Sequence, residues 1–241
     1  MEYRTLNNGI KMPMAGIGVF MLTPDQAEAA VESALKSGVR LVDTANGYMN
    51  ESATGRGIKK SGVAREDIFL VTKLWPTVYE KETAIEETLK RLDTDYIDLL
   101  LEAINTMEIK PQVVQVEAHP YFPQTELKKI LSKYDMGLMA WYPLGHGDKN
   151  LVNEKVFTEL ADKYGKSNAQ IILRWHVQSG NVVIPGSKNP DHIRDNFDIF
   201  DFELTDEDMK KIESVNKNTR YYTATPELIA QYAKMELKED I

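Results

Sequence analysis

Short runs of consecutive apolar residues alternate with longer stretches of helical pattern along most of this chain. The apolar runs cover residues 14–18, 39–44, 68–73, 96–101, 113–117, 137–142 and 182–185. Several are apolar throughout, which is typical of strands buried on both faces. Strands that alternate with helices predict βαβ units and a parallel sheet.

Polar residues at the ends of the helical stretches support this order. Thr23 and Gln26 form a capping box around a proline, and Ser167 and Gln170 form a second one. In a capping box each side chain accepts a hydrogen bond from the other residue's backbone, which fixes the start of a helix. Near the N-terminus, Asn8 and Gly9 lie between apolar flanks and predict a β-hairpin.

The length of the chain limits the number of domains. Its 241 residues lie close to the roughly 250 typical of one parallel (β/α)₈ barrel. We therefore expect a single domain over residues 1–241, a parallel (β/α)₈ TIM barrel preceded by the hairpin.

One connection of this barrel is too short. Only residues 102–112 separate the fourth apolar run from the fifth, and a parallel crossover needs at least about 10–12 residues. The runs also number seven, not eight. We expect one strand–helix unit after the fourth strand to be missing, either from the protein or only from the sequence as written.

The composition of the chain restricts the classes of molecule that it can bind. The net charge of −8 disfavours nucleic acid and anionic membranes, because both select for basic surfaces. Without cysteine the chain has no disulfide or thiolate metal site, and we predict no bound metal. It shows neither a signal peptide nor an apolar run of about 18 residues. These features favour a cytoplasmic protein, taken as a monomer, that acts on a small molecule.

Candidate chemistry lies at the carboxyl ends of the strands, where parallel barrels carry their active sites. These ends read Asp43, Lys73, Gln115, Tyr142 and Ser187. Buried opposite charges must pair, so we expect an ion pair between the first two. Tyr48 follows Asp43 closely. A free phenol titrates near pH 10, and an ammonium beside it lowers that value, which would let the tyrosine exchange a proton during carbonyl reduction.

Several segments together resemble the aldo-keto reductase family. They are residues 43–51 (DTANGYMNE), 72–75 (TKLW), 113–120 (VVQVEAHP), 141–145 (WYPLG) and 183–187 (VIPGS) with 195–197 (DNF). The similarity extends over nearly the whole chain. It implies a reductase of aldehydes and ketones that takes a hydride from NADPH, with NADH left open.

The resemblance also implies residue roles. Tyr48 would be the general acid, assisted by Lys73 and Asp43, and Phe20 and Trp75 would wall the substrate pocket. The remaining roles concern the cofactor: Gln115 and Trp141 for the nicotinamide, Pro143, Leu144 and Asp148 for the pyrophosphate, and Ser187, Lys188, Asn189, His192 and Asn196 for the adenosine phosphate.

Two departures from the family pattern matter. The family usually has a lysine at Gly186 and an arginine at His192, both of which grip the 2′-phosphate of NADP; Lys188 or Arg194 would have to substitute. The family also has a histidine after its fourth strand, and none of the four histidines here follows that strand. The alternative is therefore a truncated, catalytically impaired relative with a partial cofactor cleft.

Other nicotinamide-binding folds fit less well. A Rossmann domain needs Gly-x-Gly-x-x-Gly after a strand, and the candidates at residues 16–18 and 55–57 both lack the third glycine. The tail from residue 220 onward is short, which favours an open pocket for small aldehydes or diketones.

Overall fold

The hairpin at the N-terminus forms as predicted. A computed structural model of the protein describes residues 1–78, 81–101, 112–232 and 234. Strands β1 (Tyr3–Thr5) and β2 (Lys11–Pro13) pair antiparallel across a turn in which Gly9 has a φ of 85°. The Arg4 guanidinium donates to the carbonyl of Met136 at 3.2 Å. This bond fastens the hairpin to the chain just before a later strand.

The predicted apolar runs all contain strands, and these pair in parallel. Four form one sheet in chain order: β3 (Ile17–Gly18), β4 (Leu41–Asp43), β5 (Phe69–Lys73) and β6 (Leu99–Leu101). Three form another: β7 (Val113–Glu117), β8 (Gly137–Trp141) and β9 (Asn181–Val183). The prediction of parallel strands is confirmed, although several strands are shorter than their apolar runs.

Helices occupy the predicted intervals. They are α1 (Pro24–Lys36), α2 (Glu51–Ser61), α3 (Ala84–Leu92), α4 (Thr125–Ser132), α5 (Lys149–Val152), α6 (Lys155–Tyr164), α7 (Asn168–Gln178), α8 (Pro190–Phe197), α9 (Asp206–Glu213) and α10 (Pro226–Tyr232). Both predicted capping boxes are present, at Thr23 and Ser167. Thr205 and Asp208 form a third box.

The chain divides into two units, each with its own packing. One comprises Met1–Ala15, Ile109–Pro185 and Arg194–Thr223. Its core is a cluster in which Phe157, Leu160, Ile171 and Trp175 are buried against the apolar side of α9. Close packing of this kind stabilises a unit both by removing apolar surface from water and by dispersion.

The other unit comprises Gly16–Glu108, Gly186–Ile193 and Ala224–Ile241. Within it α1 and α2 lie against each other so closely that a Cβ on Gly57 would meet the Glu28 carbonyl oxygen at 2.6 Å. A Cβ on Gly55 would likewise meet the Leu92 carbonyl at 2.5 Å. Glycine therefore allows α1, α2 and α3 to pack together beside the first sheet.

The strand predicted over residues 113–117 is confirmed as β7, with the same bounds. Gln115, named among the strand ends, therefore lies two residues before the end of its strand. The short connection after the fourth strand, at residues 102–111, lies outside the described residues. Among the helices that the structure describes, none is both long and apolar enough to cross a lipid bilayer.

Candidate active site

An ion pair joins the ends of two neighbouring strands. Asp43 closes β4 and is only 2% exposed, and its Oδ1 lies 2.7 Å from the Nζ of Lys73, which closes β5. Lys73 also donates to the carbonyl of Thr44 at 2.7 Å. The expected pairing of these two charges is therefore confirmed.

Tyr48 lies beside this pair. The Lys73 Nζ is 5.0 Å from the centre of the Tyr48 ring. Burial opposes the positive charge of Lys73, but the Asp43 carboxylate and the Tyr48 oxygen outweigh it and raise the pKa of Lys73 above its ordinary value. The lysine is therefore charged at neutral pH and stabilises negative charge on the phenol oxygen.

The turn that carries Tyr48 is locked to Trp75. Residues Asn46–Tyr48 form a short 3₁₀ helix, and the Asn46 side chain accepts a hydrogen bond from the Trp75 backbone at 2.8 Å. Gly47 leaves room for the indole, because a Cβ there would lie 2.4 Å from Trp75 Cε3. The indole Nε1 donates to the carbonyl of Tyr232 at 3.1 Å. Trp75 is thus fixed between the Tyr48 turn and α10.

A buried asparagine holds the loop that carries Phe20. Asn50 is fully buried, and its side-chain nitrogen donates to the carbonyls of Val19 at 2.9 Å and Leu22 at 3.1 Å. The exposed Phe20 ring lies 4.9 Å from the Tyr48 ring. Phe20 and Trp75, both predicted to wall the pocket, therefore lie next to the tyrosine turn.

Several residues with left-handed backbone lie beside predicted site residues. Such conformations cost a non-glycine residue about 1–3 kcal/mol and concentrate at functional sites. Met21 (φ 62°), Met49 (φ 55°) and Tyr142 (φ 54°) directly follow Phe20, Tyr48 and Trp141. Asp93, Gln124, Asp135, His146 and Asn218 share this conformation, so it does not by itself distinguish site residues from turn residues.

The start of α8 presents polar groups suited to a phosphate. Ser187 Oγ accepts from the Asn189 backbone at 3.1 Å, and Asn189 Oδ1 accepts from the Asp191 backbone at 2.9 Å. Lys188 and His192 are exposed on the same segment. Hydroxyl, amide and ammonium groups at the N-terminus of a helix form a donor set that fits a phosphate group.

Close packing against the backbone of Gly18 explains why residue 186 is a glycine. A Cβ there would lie 2.9 Å from the Gly18 carbonyl oxygen, which is backbone and cannot turn aside. A lysine at this position would require the backbone to shift. The departure from the family pattern noted in the sequence is therefore built into the packing around Gly186.

Gln115 and Trp141 lie on adjacent strands of the second sheet. The Gln115 amide donates to the Sδ of Met139 at 3.0 Å. Trp141 is half-buried, with the Tyr142 ring at 4.2 Å and the Tyr222 ring at 5.5 Å. The indole is thus framed by two aromatic side chains, and its position is set by them.

The loop after β8 is held at both ends. The Pro143 carbonyl accepts from Nε2 of the buried His176 at 3.1 Å, and Asp148 caps α5 by accepting from the Asn150 backbone at 2.8 Å. Leu144 packs its side chain against the core cluster of that unit. Leu144 can therefore offer a ligand mainly its backbone. Both carboxylate oxygens of Asp148 are engaged, one by the Asn150 backbone and the other by the Tyr221 hydroxyl.

Three of the four histidines, His119, His146 and His176, lie in the unit that does not contain Tyr48. His119 is buried and hydrogen-bonds to Glu117 at 2.9 Å, and burial lowers its pKa. His176 is buried between Pro143 and Asn181, and burial lowers its pKa to about 3. The His146 ring packs on Tyr142 at 4.2 Å. Among the described residues of the unit that contains Tyr48, the one histidine is His192, on α8.

Sequence reasoning missed two buried polar residues, Asn50 and Glu117. Glu117 is 7% exposed and accepts hydrogen bonds from the backbones of Tyr221 and Tyr222. A signal for Glu117 existed, since it ends an apolar run as Asp43 does. Within the described residues, no group of three or more potential ligand side chains is arranged to hold a metal ion.

The parallel strands with helices between them define a protein of the parallel α/β class, with a buried ion pair beside a tyrosine at two strand ends. The model of the aldo/keto reductase family matches residues 15–105 and 100–217. The chain belongs to this family, whose members use NAD(P)H.

Curated relatives agree with the family match. The chain is 39% identical over 267 residues to the glyoxal reductase of Bacillus subtilis, with 93% of this chain and 96% of that protein covered. It is 38% identical over 260 residues to an aldo-keto reductase of Mycolicibacterium smegmatis, covering 90% and 94%. The methylglyoxal reductase of Escherichia coli is 32% identical over 257 residues, covering 89% and 94%.

Solved structures support the same fold. An aldo-keto reductase from a deep-sea metagenome superposes with a TM-score of 0.87 at 35% identity, covering 91% of this chain and 97% of that one. The aldo-keto reductase of Bombyx mori, solved in complex with NADP, superposes with a TM-score of 0.85 at 28% identity, covering 92% and 95%. These similarities imply a (β/α)₈ type of fold.

Proposed function

We propose that this protein reduces small aldehydes and ketones to alcohols with NADPH, and that Tyr48 supplies the proton. The observation that carries the proposal is the Lys73 ammonium held between the Asp43 carboxylate and the Tyr48 phenol. This arrangement suits proton transfer, because the phenolate left behind is stabilised by the adjacent positive charge.

The reaction forms two bonds to the carbonyl group. When bound, the nicotinamide supplies the hydride that forms the new C–H bond. The carbonyl oxygen takes the Tyr48 proton, so that the product is a neutral alcohol. Lys73 stays protonated throughout, and Asp43 keeps its ammonium within hydrogen-bond reach of the tyrosine. In the reverse direction the Tyr48 phenolate would accept the alcohol proton.

The proposed cofactor residues are those named from the sequence. Gln115 and Trp141 would hold the nicotinamide, and Pro143, Leu144 and Asp148 would line the pyrophosphate. The adenosine phosphate would be held by Ser187, Lys188, Asn189, His192 and Asn196. The donor set at the start of α8 fits a phosphate, as does the exposed Lys188. Since Gly186 carries no lysine, Lys188 is the proposed ligand of the 2′-phosphate, and NADH use should be better than in relatives with both basic residues.

The proposed substrates are small carbonyl compounds, including 1,2-dicarbonyls. Relatives that cover almost the whole chain are named as reductases of glyoxal and of methylglyoxal. The exposed Phe20 and the ordered Trp75 supply apolar walls on either side of the tyrosine turn. A pocket bounded by these two walls would accept small molecules without demanding a long chain.

The test is NADPH oxidation with methylglyoxal and with benzaldehyde, in the parent and in Tyr48→Phe. Turnover by the parent and its loss by about 10²–10⁴-fold in the variant, with unchanged NADPH affinity, is the expected result. A folded parent that binds NADPH but turns over neither aldehyde would defeat the proposal.

A second candidate is a cofactor-binding relative without turnover. It is favoured by one finding: the family model matches in two pieces that meet at residues 100–105, where the sequence analysis expects a strand–helix unit and the family histidine to be missing. The same assay separates the two. NADPH binding without aldehyde reduction would support this candidate, and turnover that depends on Tyr48 would exclude it.

A further inference from the structure

A single buried carboxylate fastens the chain segment formed by residues 217–223, which we name the strap. The Glu117 carboxylate, at the end of β7, accepts hydrogen bonds from the backbone nitrogens of Tyr221 at 2.5 Å and Tyr222 at 3.0 Å. Its Oε1 also faces the His119 Nε2 at 2.9 Å. Three donors thus converge on one carboxylate that is almost excluded from solvent.

The strap has a second point of attachment at its beginning. The backbone nitrogens of Lys217 and Thr219 both donate to the Tyr121 carbonyl, at 3.1 and 3.2 Å. The Lys217 ammonium also lies 3.5 Å from the centre of the Tyr121 ring. Tyr121 therefore anchors the start of the strap, and Glu117 fixes the part that carries the two tyrosines.

The two tyrosines contact residues that we assign to cofactor binding. The Tyr221 hydroxyl donates to Oδ2 of Asp148 at 2.5 Å, and the Tyr222 ring meets the Trp141 indole edge-on at 5.5 Å. Asp148 belongs to the proposed pyrophosphate loop and Trp141 to the proposed nicotinamide site. One carboxylate therefore sets the position of side chains that contact two separate parts of the proposed site.

We propose that Glu117 is a positioning residue for the nicotinamide cofactor, because it holds the strap in the arrangement that orients Asp148 and Trp141. This inference rests on the proposed function. Its consequence is kinetic: a strap released from Glu117 lets Asp148 and Trp141 move, so the cofactor dissociates faster. Glu117 itself touches neither cofactor nor substrate in this role.

The test uses Glu117→Gln in the full chain. An amide offers one acceptor oxygen where the carboxylate offers two, so at least one backbone bond of the strap is lost. NADPH dissociation is measured by mixing the loaded protein with excess NADP⁺ and following the fluorescence of NADPH. We expect dissociation to be about tenfold faster or more, the size expected for one hydrogen bond to a charged group. The KM for the aldehyde should stay unchanged.

Asp208→Asn is the matched control. Asp208 is a buried carboxylate of the same unit. Its hydrogen-bond partners Lys163, Tyr164 and Thr205 all lie outside the strap. A general loss of stability would affect both variants, whereas faster NADPH release is expected only in Glu117→Gln. Equal release rates in the parent and Glu117→Gln would overturn the inference.

Tyr221→Phe keeps the inference testable if Glu117→Gln does not fold. It removes only the hydroxyl that binds Asp148, and we expect NADPH release to accelerate. Where both variants fold, the double variant should accelerate NADPH release by less than the two single effects combined, because both substitutions act on the same strap. Release from Tyr221→Phe at the parental rate would count against the role of the strap. A parent that binds neither NADPH nor NADH would instead overturn the proposed function.

Discussion

The Nζ of Lys73 and the Oδ1 of Asp43 lie 2.7 Å apart at the ends of two neighbouring parallel strands. Lys73→Met removes the ammonium and leaves the carboxylate buried without its counter-ion. We expect kcat to fall by about 10²–10⁴-fold, and the free energy of unfolding to drop by about 3–5 kcal/mol. Urea unfolding and NADPH oxidation measure the two effects.

The double variant Asp43→Asn/Lys73→Met separates catalysis from stability. It contains no unpaired charge, so we expect it to recover most of the lost stability and none of the activity. Recovery of activity along with stability would show that Lys73 serves folding and not proton transfer.

Gly47→Ala tests the contact between the tyrosine turn and Trp75. The added methyl would lie 2.4 Å from the indole, so either the turn or the ring must move, at a cost of about 1–3 kcal/mol. We expect kcat/KM to fall more than tenfold. Gly57→Ala is the control, since its methyl meets a backbone oxygen at 2.6 Å between α1 and α2. If both variants lose the same stability and both keep the parental kcat/KM, the contact between Gly47 and Trp75 does not position Tyr48.

His192→Arg tests how the adenosine phosphate is recognised. The variant restores the arginine of the family pattern at an exposed position of α8, where an ion pair contributes about 0.2–1 kcal/mol. We expect NADPH to bind up to about fivefold more tightly, with NADH affinity unchanged because NADH lacks the 2′-phosphate. Lys188→Ala should weaken NADPH binding alone. Equal changes for both cofactors, read from binding isotherms, would contradict the assignment.

Asp208 makes the stability depend on pH. Burial raises the pKa of this carboxyl, but the donors Lys163, Tyr164 and Thr205 outweigh it and hold the pKa well below its ordinary value. Because the unfolded-state pKa is higher, near 3.9, the stabilisation is complete above that pH and is lost as the pH falls toward the folded-state pKa.

Asp208→Asn should therefore be less stable than the parent by about 1–3 kcal/mol at pH 7, and the difference should shrink below about pH 4. Urea unfolding across this range measures it, with Asp206→Asn, an exposed residue of the same helix, as the control. A difference that stays constant down to pH 3 would show that the carboxylate charge is not the cause.

The sequence predicted the strand ends better than the loops. Asp43 and Lys73 each close an apolar run, so their burial and pairing follow from local pattern and from the cost of an isolated buried charge. The partners of Glu117 are backbone nitrogens more than a hundred residues later, at Tyr221 and Tyr222. Backbone donors have no residue signature, so a contact of this kind is invisible until the chain is folded.

Strand bounds were predicted with uneven success. Residues 113–117 were predicted as a strand, and β7 has those bounds. The apolar run at residues 182–185, in contrast, contains only part of β9, which covers Asn181–Val183. Pairing between strands distant in sequence determines where a strand stops, and apolar periodicity alone does not report it.

Asn50 binds the carbonyls on both sides of Phe20 and Met21 and thereby ties their loop to the chain just after Tyr48. The aromatic wall beside the tyrosine consequently exists before a substrate arrives. A preformed wall loses little conformational entropy when a ligand binds. Small aldehydes make few contacts that could offset such a loss, so they bind better to a wall that is already ordered. The same rigidity limits how far the wall can move to admit bulkier molecules. Selectivity for small substrates therefore follows from the buried side-chain amide of Asn50.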